Sequence, residues 1–231
     1  MESTTQQTNP TAIATVINTL TLNNPEAEEL RAKRRREREE TQRHLNMQEF
    51  QRILSKSCIP KRYKNKTFAD FKITENNKTA TTAINKPSDS YYIFGEYGTG
   101  KTFLSSLIGQ EIIRTKLSSV LFTTATNLIF VLNPYRKETS ENGEQKEPIT
   151  RQQIYNSNLL IIDDIGVENT NTFNQSILFD IINHRYNENL QTIFTSNFNI
   201  IDLQKRLKSY EGGRIGRRIT EMCKPLLLKK A

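Results

Sequence analysis

Three observations predict an α/β three-layer sandwich built around a parallel sheet. From about Ile59 onward, short apolar runs alternate with longer stretches of helical periodicity. Leu159–Asp163 is apolar on both faces and ends in acid, the pattern of a central parallel strand. Tyr91–Phe94 runs directly into a glycine-rich turn that opens a helix. The sandwich is expected over residues 58–231, with a sheet of about five strands, after a helical N-terminal region at residues 1–57.

Residues 1–23 are polar, and Ile13, Val16, Ile17 and Leu20 have the spacing of a short docking helix or of a frayed tail. Asn24 can cap a helix, Pro25 suits its first turn, and Glu26, Glu28 and Glu29 face the positive end of its dipole. From Leu30 to Leu54 this helix is rich in Arg and Glu, with Met47, Phe50 and Leu54 as one apolar stripe. Such a helix needs a neighbour, either the main domain or another protein. Pro60 ends it by disfavouring helical geometry at Ile59.

Beyond it the expected order is strand Tyr91–Phe94, helix Lys101–Lys116, strand Val120–Thr123 and helix Thr126–Leu132. The polar stretch Pro134–Pro148 reads as a loop. Strand Leu159–Asp163, helix Phe173–Tyr186 and strand Thr192–Ser196 follow. Helices Asp202–Tyr210 and Arg214–Met222 and a last strand, Pro225–Leu228, complete the chain.

Composition narrows the function classes. The 231 residues are 35% hydrophobic, enough for one core, and collagen, disulfide and membrane-spanning compositions are excluded. The apolar runs Leu159–Ile162 and Leu226–Leu228 fall far short of the roughly 20 residues that cross a bilayer. Cys58 and Cys223 are isolated, and His44 and His184 are the only imidazoles, so neither a zinc site nor a disulfide framework is expected. With no basic and apolar leader at the N-terminus, a cytoplasmic protein is expected.

The formal charge of +8 is unevenly placed. Residues 26–66 hold 13 basic and 7 acidic side chains, and residues 204–231 hold 9 and 2. Between them, residues 67–203 hold 11 basic and 15 acidic. Basic ends flanking an acidic middle fit a polyanion partner, and they equally fit two solvated helical faces.

The phosphate motif is complete. Gly95-Glu96-Tyr97-Gly98-Thr99-Gly100-Lys101-Thr102 matches G-x-x-x-x-G-K-[ST], with a strand before it and a helix, continuing through Phe103, after it. Gly98 and Gly100 permit the backbone angles that turn successive N–H groups inward into an anion nest. The helix start beneath adds its dipole. Lys101 is expected to reach the β- and γ-phosphates of ATP or GTP, and Thr102 to ligate Mg2+. Asp163 is expected to hold the magnesium shell, and Asp164 to orient or deprotonate the attacking water. Asn197, ending the next apolar strand, is a candidate for fixing that water or sensing the γ-phosphate, or else belongs to a helix cap. Arg214, Arg217 and Arg218 follow Gly212-Gly213, and a guanidinium fork suits a transferring phosphoryl group. The glycines would let this helix approach another subunit closely. No arginine-rich lid for a second nucleotide is evident, which argues against a nucleotide kinase.

These residues carry a resemblance. Ile59-Pro-Lys-Arg-Tyr63, Thr67-Phe68-Ala-Asp-Phe71, Asp163-Asp164-Ile-Gly166, Ile181-Ile-Asn-His-Arg185-Tyr186 and Thr195-Ser-Asn197 stand in the order found in DnaC/DnaI-type replicative helicase loaders. These are AAA+ P-loop ATPases of the IstB/DnaC-like family, and the resemblance covers about residues 58–224. It implies a sheet of order 5-1-4-3-2 and an ATP-dependent protein that grips a replicative DNA helicase through its N-terminal region. It also implies delivery to single-stranded DNA and self-association through the ATPase domain. Lys101 and Thr102 resemble the Walker A pair, Asp163 and Asp164 Walker B, and Asn197 sensor 1. Arg214 and Arg218 resemble the two arginines of the box VII region, one of which acts on a neighbour's ATP. Gly213 departs from the glutamate of many relatives. Only 13 residues follow Arg218, so no sensor 2 arginine is expected, and slow hydrolysis with ATP as a switch follows from that. Phe130 and Tyr135 are aromatic candidates for a single-strand channel. Two other functions share this core: an IstB-like transposition helper, and a nucleotide-switched adaptor with little catalysis.

Overall fold

The computed structural model describes residues 25–135, 149–167, 171–207 and 210–230. The chain divides into two compact units, Met1–Gln48 and Glu49–Ala231. Helix α1 (Pro25–Lys56) runs through that division unbroken. Between Glu28 and Gln48 its side chains are exposed apart from the half-buried Ala32. Arg, Lys, Glu and Gln sustain the helix there by propensity and by exposed pairs such as Arg35–Glu39 at 3.8 Å. The candidate helix at Ile13–Leu20 lies outside the described residues, as does loop segment 136–148.

Within the second unit, the end of α1 packs Phe50, Ile53 and Leu54 onto the sheet core. Met47, expected on this stripe, is 59% exposed. Ile53 takes its place, because one helical turn from Phe50 to Leu54 already covers the available core.

Five parallel strands form one sheet: β1 (Tyr91–Phe94), β2 (Val120–Thr124), β3 (Leu159–Asp163), β4 (Gln191–Ser196) and β5 (Lys224–Leu227). Their order is β2-β3-β4-β1-β5, as the resemblance implied. Strands β1 to β4 are buried on both faces, so their side chains alternate between two cores, while β5 at the edge is largely exposed. One core takes Tyr91, Ile93, Phe122, Ile161 and Ile193 against α1, α2 (Ala80–Asn85) and α3 (Lys101–Lys116). The other takes Tyr92, Leu121, Leu160, Ile162 and Phe194. It is covered by α4 (Ala125–Leu132), α5 (Arg151–Asn156), α6 (Thr172–Asn187), α7 (Ile200–Leu207) and α8 (Tyr210–Met222).

Two glycines of α8 act inside the chain. Gly212 is buried, and a Cβ added there would collide with Leu207, while one at Gly216 would collide with Gln204. Both let α8 close onto α7. Gly213 faces open space.

Arg185 ties the second core together. It is wholly buried. Its Nε donates to Thr192 Oγ1 at 2.9 Å, and its Nη2 donates to the Gln191 carbonyl at 2.6 Å. Its Nη1 reaches the carbonyls of Ile154, Tyr155 and Ser157 at 3.4, 3.3 and 3.1 Å. Those three are carbonyls at the C-terminal end of α5, left without helical partners. Burial pushes the guanidinium pKa down to about 9, while five oxygen acceptors favour the charged form. An ammonium cannot reproduce this planar fork. Arg185→Lys is expected to cost roughly 3–5 kcal/mol by stranding buried carbonyls, read as a lowered denaturation midpoint with unchanged slope. A midpoint equal to that of the wild type would refute this role.

Candidate functional site

The site is assembled at the C-terminal ends of β1, β3 and β4, where open α/β sheets bind ligands. After β1 the chain turns through Gly95, Gly98 and Gly100, all at positive φ (150°, 78° and 89°). A side chain at Gly95 would collide with the Leu228 carbonyl, and Gly100 caps α3 in the left-handed region. Thr99 Oγ1 closes the turn on the Glu96 carbonyl at 2.9 Å. The backbone is thereby held with the N-terminus of α3 facing the turn.

Lys101 is 6% exposed, and its ammonium lies inside this turn. Nζ donates to the carbonyls of Gly95 and Glu96 at 2.9 and 2.8 Å, and to Asn197 Oδ1 at 2.8 Å. Burial pushes the Lys101 pKa down, and the charges of Asp164 and Asp163 oppose that shift. Tyr97 stands 72% exposed, with its ring centroid 6.0 Å from this ammonium.

Across the sheet, Thr102 Oγ1 donates to the Asp163 carboxylate, 3.1 and 3.2 Å from its two oxygens. Thr195 Oγ1 donates to Asp163 Oδ1 at 2.5 Å and accepts from the Asp164 N–H at 2.9 Å. Burial pushes the Asp163 pKa up; the Thr195 hydrogen bond pulls the other way, and the neighbouring Asp164 charge adds to the rise. Asp164 itself sits at φ 57°, a strained position for a residue with a side chain, just past the strand.

Lys101, Thr102, Asp163, Asp164 and Asn197 are therefore brought together. Phe103 contributes backbone to the first turn of α3, but its ring turns away to pack on Tyr63 and Phe71, with centroids 5.2 and 5.8 Å apart. Arg214 and Arg218 lie on α8 against α6. The Arg214 guanidinium stands 3.8 Å from the Phe179 ring centroid, and that of Arg218 stands 4.1 Å from Tyr186. Arg218 also donates to Asn183 Oδ1 and Glu221 Oε2, each at 3.2 Å. The residue the sequence reading undervalued is Thr195. Its signal was a hydroxyl that follows the apolar pair Ile193-Phe194 and immediately precedes Ser196-Asn197.

A nucleoside triphosphate with magnesium fits these residues. The Asn197 Oδ1 orientation is dictated by its lysine donor, which leaves Nδ2 buried without a partner. A γ-phosphate oxygen or an attacking water would satisfy that orphan donor. Thr102 and Asp163 supply the hydroxyl and carboxylate oxygens that magnesium prefers. Such a cation would offset the burial that now raises the Asp163 pKa, and when bound it would neutralise developing phosphate charge.

Known proteins of related sequence bear on this geometry. The replicative helicase loader DnaI of Bacillus subtilis (strain 168) is 25% identical over 146 residues, 59% of this chain and 45% of DnaI. DnaC of Buchnera aphidicola subsp. Baizongia pistaciae is 30% identical over 156 residues, 64% of this chain and 62% of that loader. The chain thus matches about half to two thirds of these relatives' lengths. A crystal structure of the DnaC helicase loader superposes with TM-score 0.59 at 24% identity, covering 74% of this chain and all of that one. AMPPCP-bound DnaA from Aquifex aeolicus gives 0.54 at 22%, covering 74% and 51%. These likenesses agree with the AAA+ type of P-loop fold. The profile of IstB-like ATP binding proteins matches residues 2–227, nearly the whole chain, and with the assembled phosphate turn this places the protein in that family.

Proposed function

We propose that this protein is an ATP-dependent helicase loader of DNA replication, which binds and hydrolyses ATP while delivering a replicative ring helicase to single-stranded DNA. The observation that carries the nucleotide chemistry is the Lys101–Asn197 hydrogen bond across two strand ends, beside the Thr102–Asp163 pair. Lys101 exchanges its carbonyl partners for β- and γ-phosphate oxygens. Thr102 and Asp163 hold magnesium. Asp164 takes the proton of the attacking water while Asn197 Nδ2 positions it. Arg214 or Arg218 acts on the nucleotide of a neighbouring copy through self-association.

The helicase is assigned to residues 1–57, and the DnaI and DnaC relatives, named as replicative helicase loaders, support that partner. Single-stranded DNA is assigned to exposed aromatics. Tyr135 is 82% exposed, Phe173 38%, and their rings lie 6.0 Å apart, while Phe130 on α4 is 55% exposed. Exposed paired rings suit sequence-tolerant base stacking. The IstB-like family match favours one second reading, a transposition helper that works with a transposase on the same ATPase core.

Calorimetry on Lys101→Ala is expected to show loss of Mg-ATP affinity; retained affinity would refute the site. Asn197→Ala is expected to bind ATP nearly as the wild type does, with turnover lowered about 10²–10³-fold, as when one transition-state donor is removed. Equal losses of binding and turnover would contradict its assignment. Tyr135→Ala is expected to weaken oligo-dT binding by about 1–3 kcal/mol per stacked base. Co-purification with the host replicative helicase, with and without ATP, separates the two readings: recovery of a transposase and no helicase would favour the second.

A further inference from the structure

The outer edge of β2 borders a cationic groove on the second unit. Ser57 closes part of that edge, its carbonyl accepting from the Phe122 N–H at 2.7 Å. Beside it lie two adjoining cavities of about 330 and 490 Å³, with Lys56 and Gln153 lining both. Arg52 lines the first, and Lys61 and Lys64 line the second. Among the described residues no carboxylate lines either one. Ser157, 5% exposed, forms part of the first cavity, and its hydroxyl is buried without a hydrogen-bond partner. None of these groups takes part in the nucleotide site.

The cations come in two pairs of similar spacing. Arg52 and Lys56 are one turn apart at the end of α1, about 6 Å along its axis. Lys61 and Lys64 are three apart along the 3-10 turn Lys61–Tyr63 and its cap, where side chains eclipse with a rise of about 6 Å. Arg52 is oriented by a bidentate bond to Glu49 at 2.6 and 2.7 Å. A single carboxylate or phosphate ion needs one such cation. Several cations along one groove, with Gln153 and Ser157 beside them, fit a ligand that repeats its anions.

We propose that this groove carries the phosphate backbone of single-stranded DNA past the β2 edge. The inference rests on the DNA reading above and extends it, because α5 is the wall shared by groove and aromatic platform. Its Gln153 lines both cavities, while Arg151 Nη2 donates to the Leu132 carbonyl at 3.0 Å, at the end of α4 three residues before Tyr135. Separate stretches of one strand would then stack bases on Tyr135 and Phe173 and lay phosphates along Lys56, Lys61 and Lys64.

Anisotropy of labelled oligo-dT with the full chain, over a series of salt concentrations, tests this. Each phosphate contact contributes about 0.7 to the slope of log K against log salt for a single strand. The Lys61→Gln/Lys64→Gln variant is expected to lose about 1.4 of slope and about tenfold in affinity at low salt. Lys78→Gln, at an exposed lysine paired with Glu75 outside the groove, is expected to change neither. Circular dichroism checks folding, and the two single variants serve if the double one is impaired. An unchanged slope in the double variant, with binding still weakened by Tyr135→Ala, would overturn the groove and leave the DNA reading standing. No oligo-dT binding by the wild type would overturn both. Equal losses in Lys78→Gln would overturn the groove by showing a diffuse charge effect. So would an oligo-glutamate peptide whose binding alone depends on Lys61 and Lys64, since it would identify an acidic protein partner instead.

Discussion

The insertion of β4 between β1 and β3 is the constraint from which the site follows. Strand β1 delivers the phosphate turn, and β3 delivers the acidic pair. Strands β1 and β3 do not pair, because β4 lies between them in hydrogen-bonded register, and Thr102 at the start of α3 reaches across to Asp163. Two polar positions at the β4 terminus bridge the gap in both directions. Thr195 holds Asp163 and the Asp164 backbone, and two residues later Asn197 holds Lys101. A slip of β4 by one residue would turn Thr195 to the opposite face and undo the bridge to Asp163. Apolar burial in two cores enforces that register, so stability and site geometry have the same source.

The site is electrostatically unfinished on its own. Burial works against both charges, pushing Lys101 down and Asp163 up, and their mutual attraction only partly offsets it. Lys101 is held by carbonyls rather than by a carboxylate, and Asn197 keeps an orphan amide. Groups left in this condition favour a ligand that carries both signs. Phosphate oxygens suit the lysine, the amide and the helix N-terminus, while a divalent cation suits the aspartate and the threonine. Apart from Lys101, which would exchange its carbonyl partners, these groups are already in place, the condition from which preorganised polar sites gain their effect.

Much of this was legible in the residues. The bounds of β1 and β3 were read without error, since each is a continuous apolar run flanked by a turn or acid. The phosphate turn was legible because its glycines have no other use. Two short helices escaped. Helix α5 announces itself through the Thr150-x-x-Gln153 capping box, which both side chains complete, but it directly follows a polar stretch whose composition masks it. Helix α2 is Ala-Thr-Thr-Ala-Ile-Asn, whose propensity is poor and which forms because Ala80 and Ala83 are buried. Gly212 was misread for a different reason, while Gly213 faces open space. Sequence shows that a helix has a smooth face, and only tertiary packing shows that α7 occupies it.

Arginine chemistry separates scaffold from candidate machinery more sharply than any motif does. Arg185 gives every nitrogen to oxygens of its own chain, is wholly buried, and has no route to a ligand. Arg214 is exposed, and Arg218 keeps a quarter of its side chain in solvent. Both lie over aromatic faces, contacts worth about 0.5–1 kcal/mol at exposed sites. Arg218 would also give up its bonds to Asn183 and Glu221 on turning toward a neighbour's nucleotide, and a desolvated bond between arginine and phosphate is what would offset such losses. Moving Arg185 would strand the end of α5, one wall of the cationic groove, and release the start of β4. The proposed action on an adjoining copy's phosphate needs a guanidinium with access to solvent, and Arg214 and Arg218 on α8 have that access where Arg185 does not.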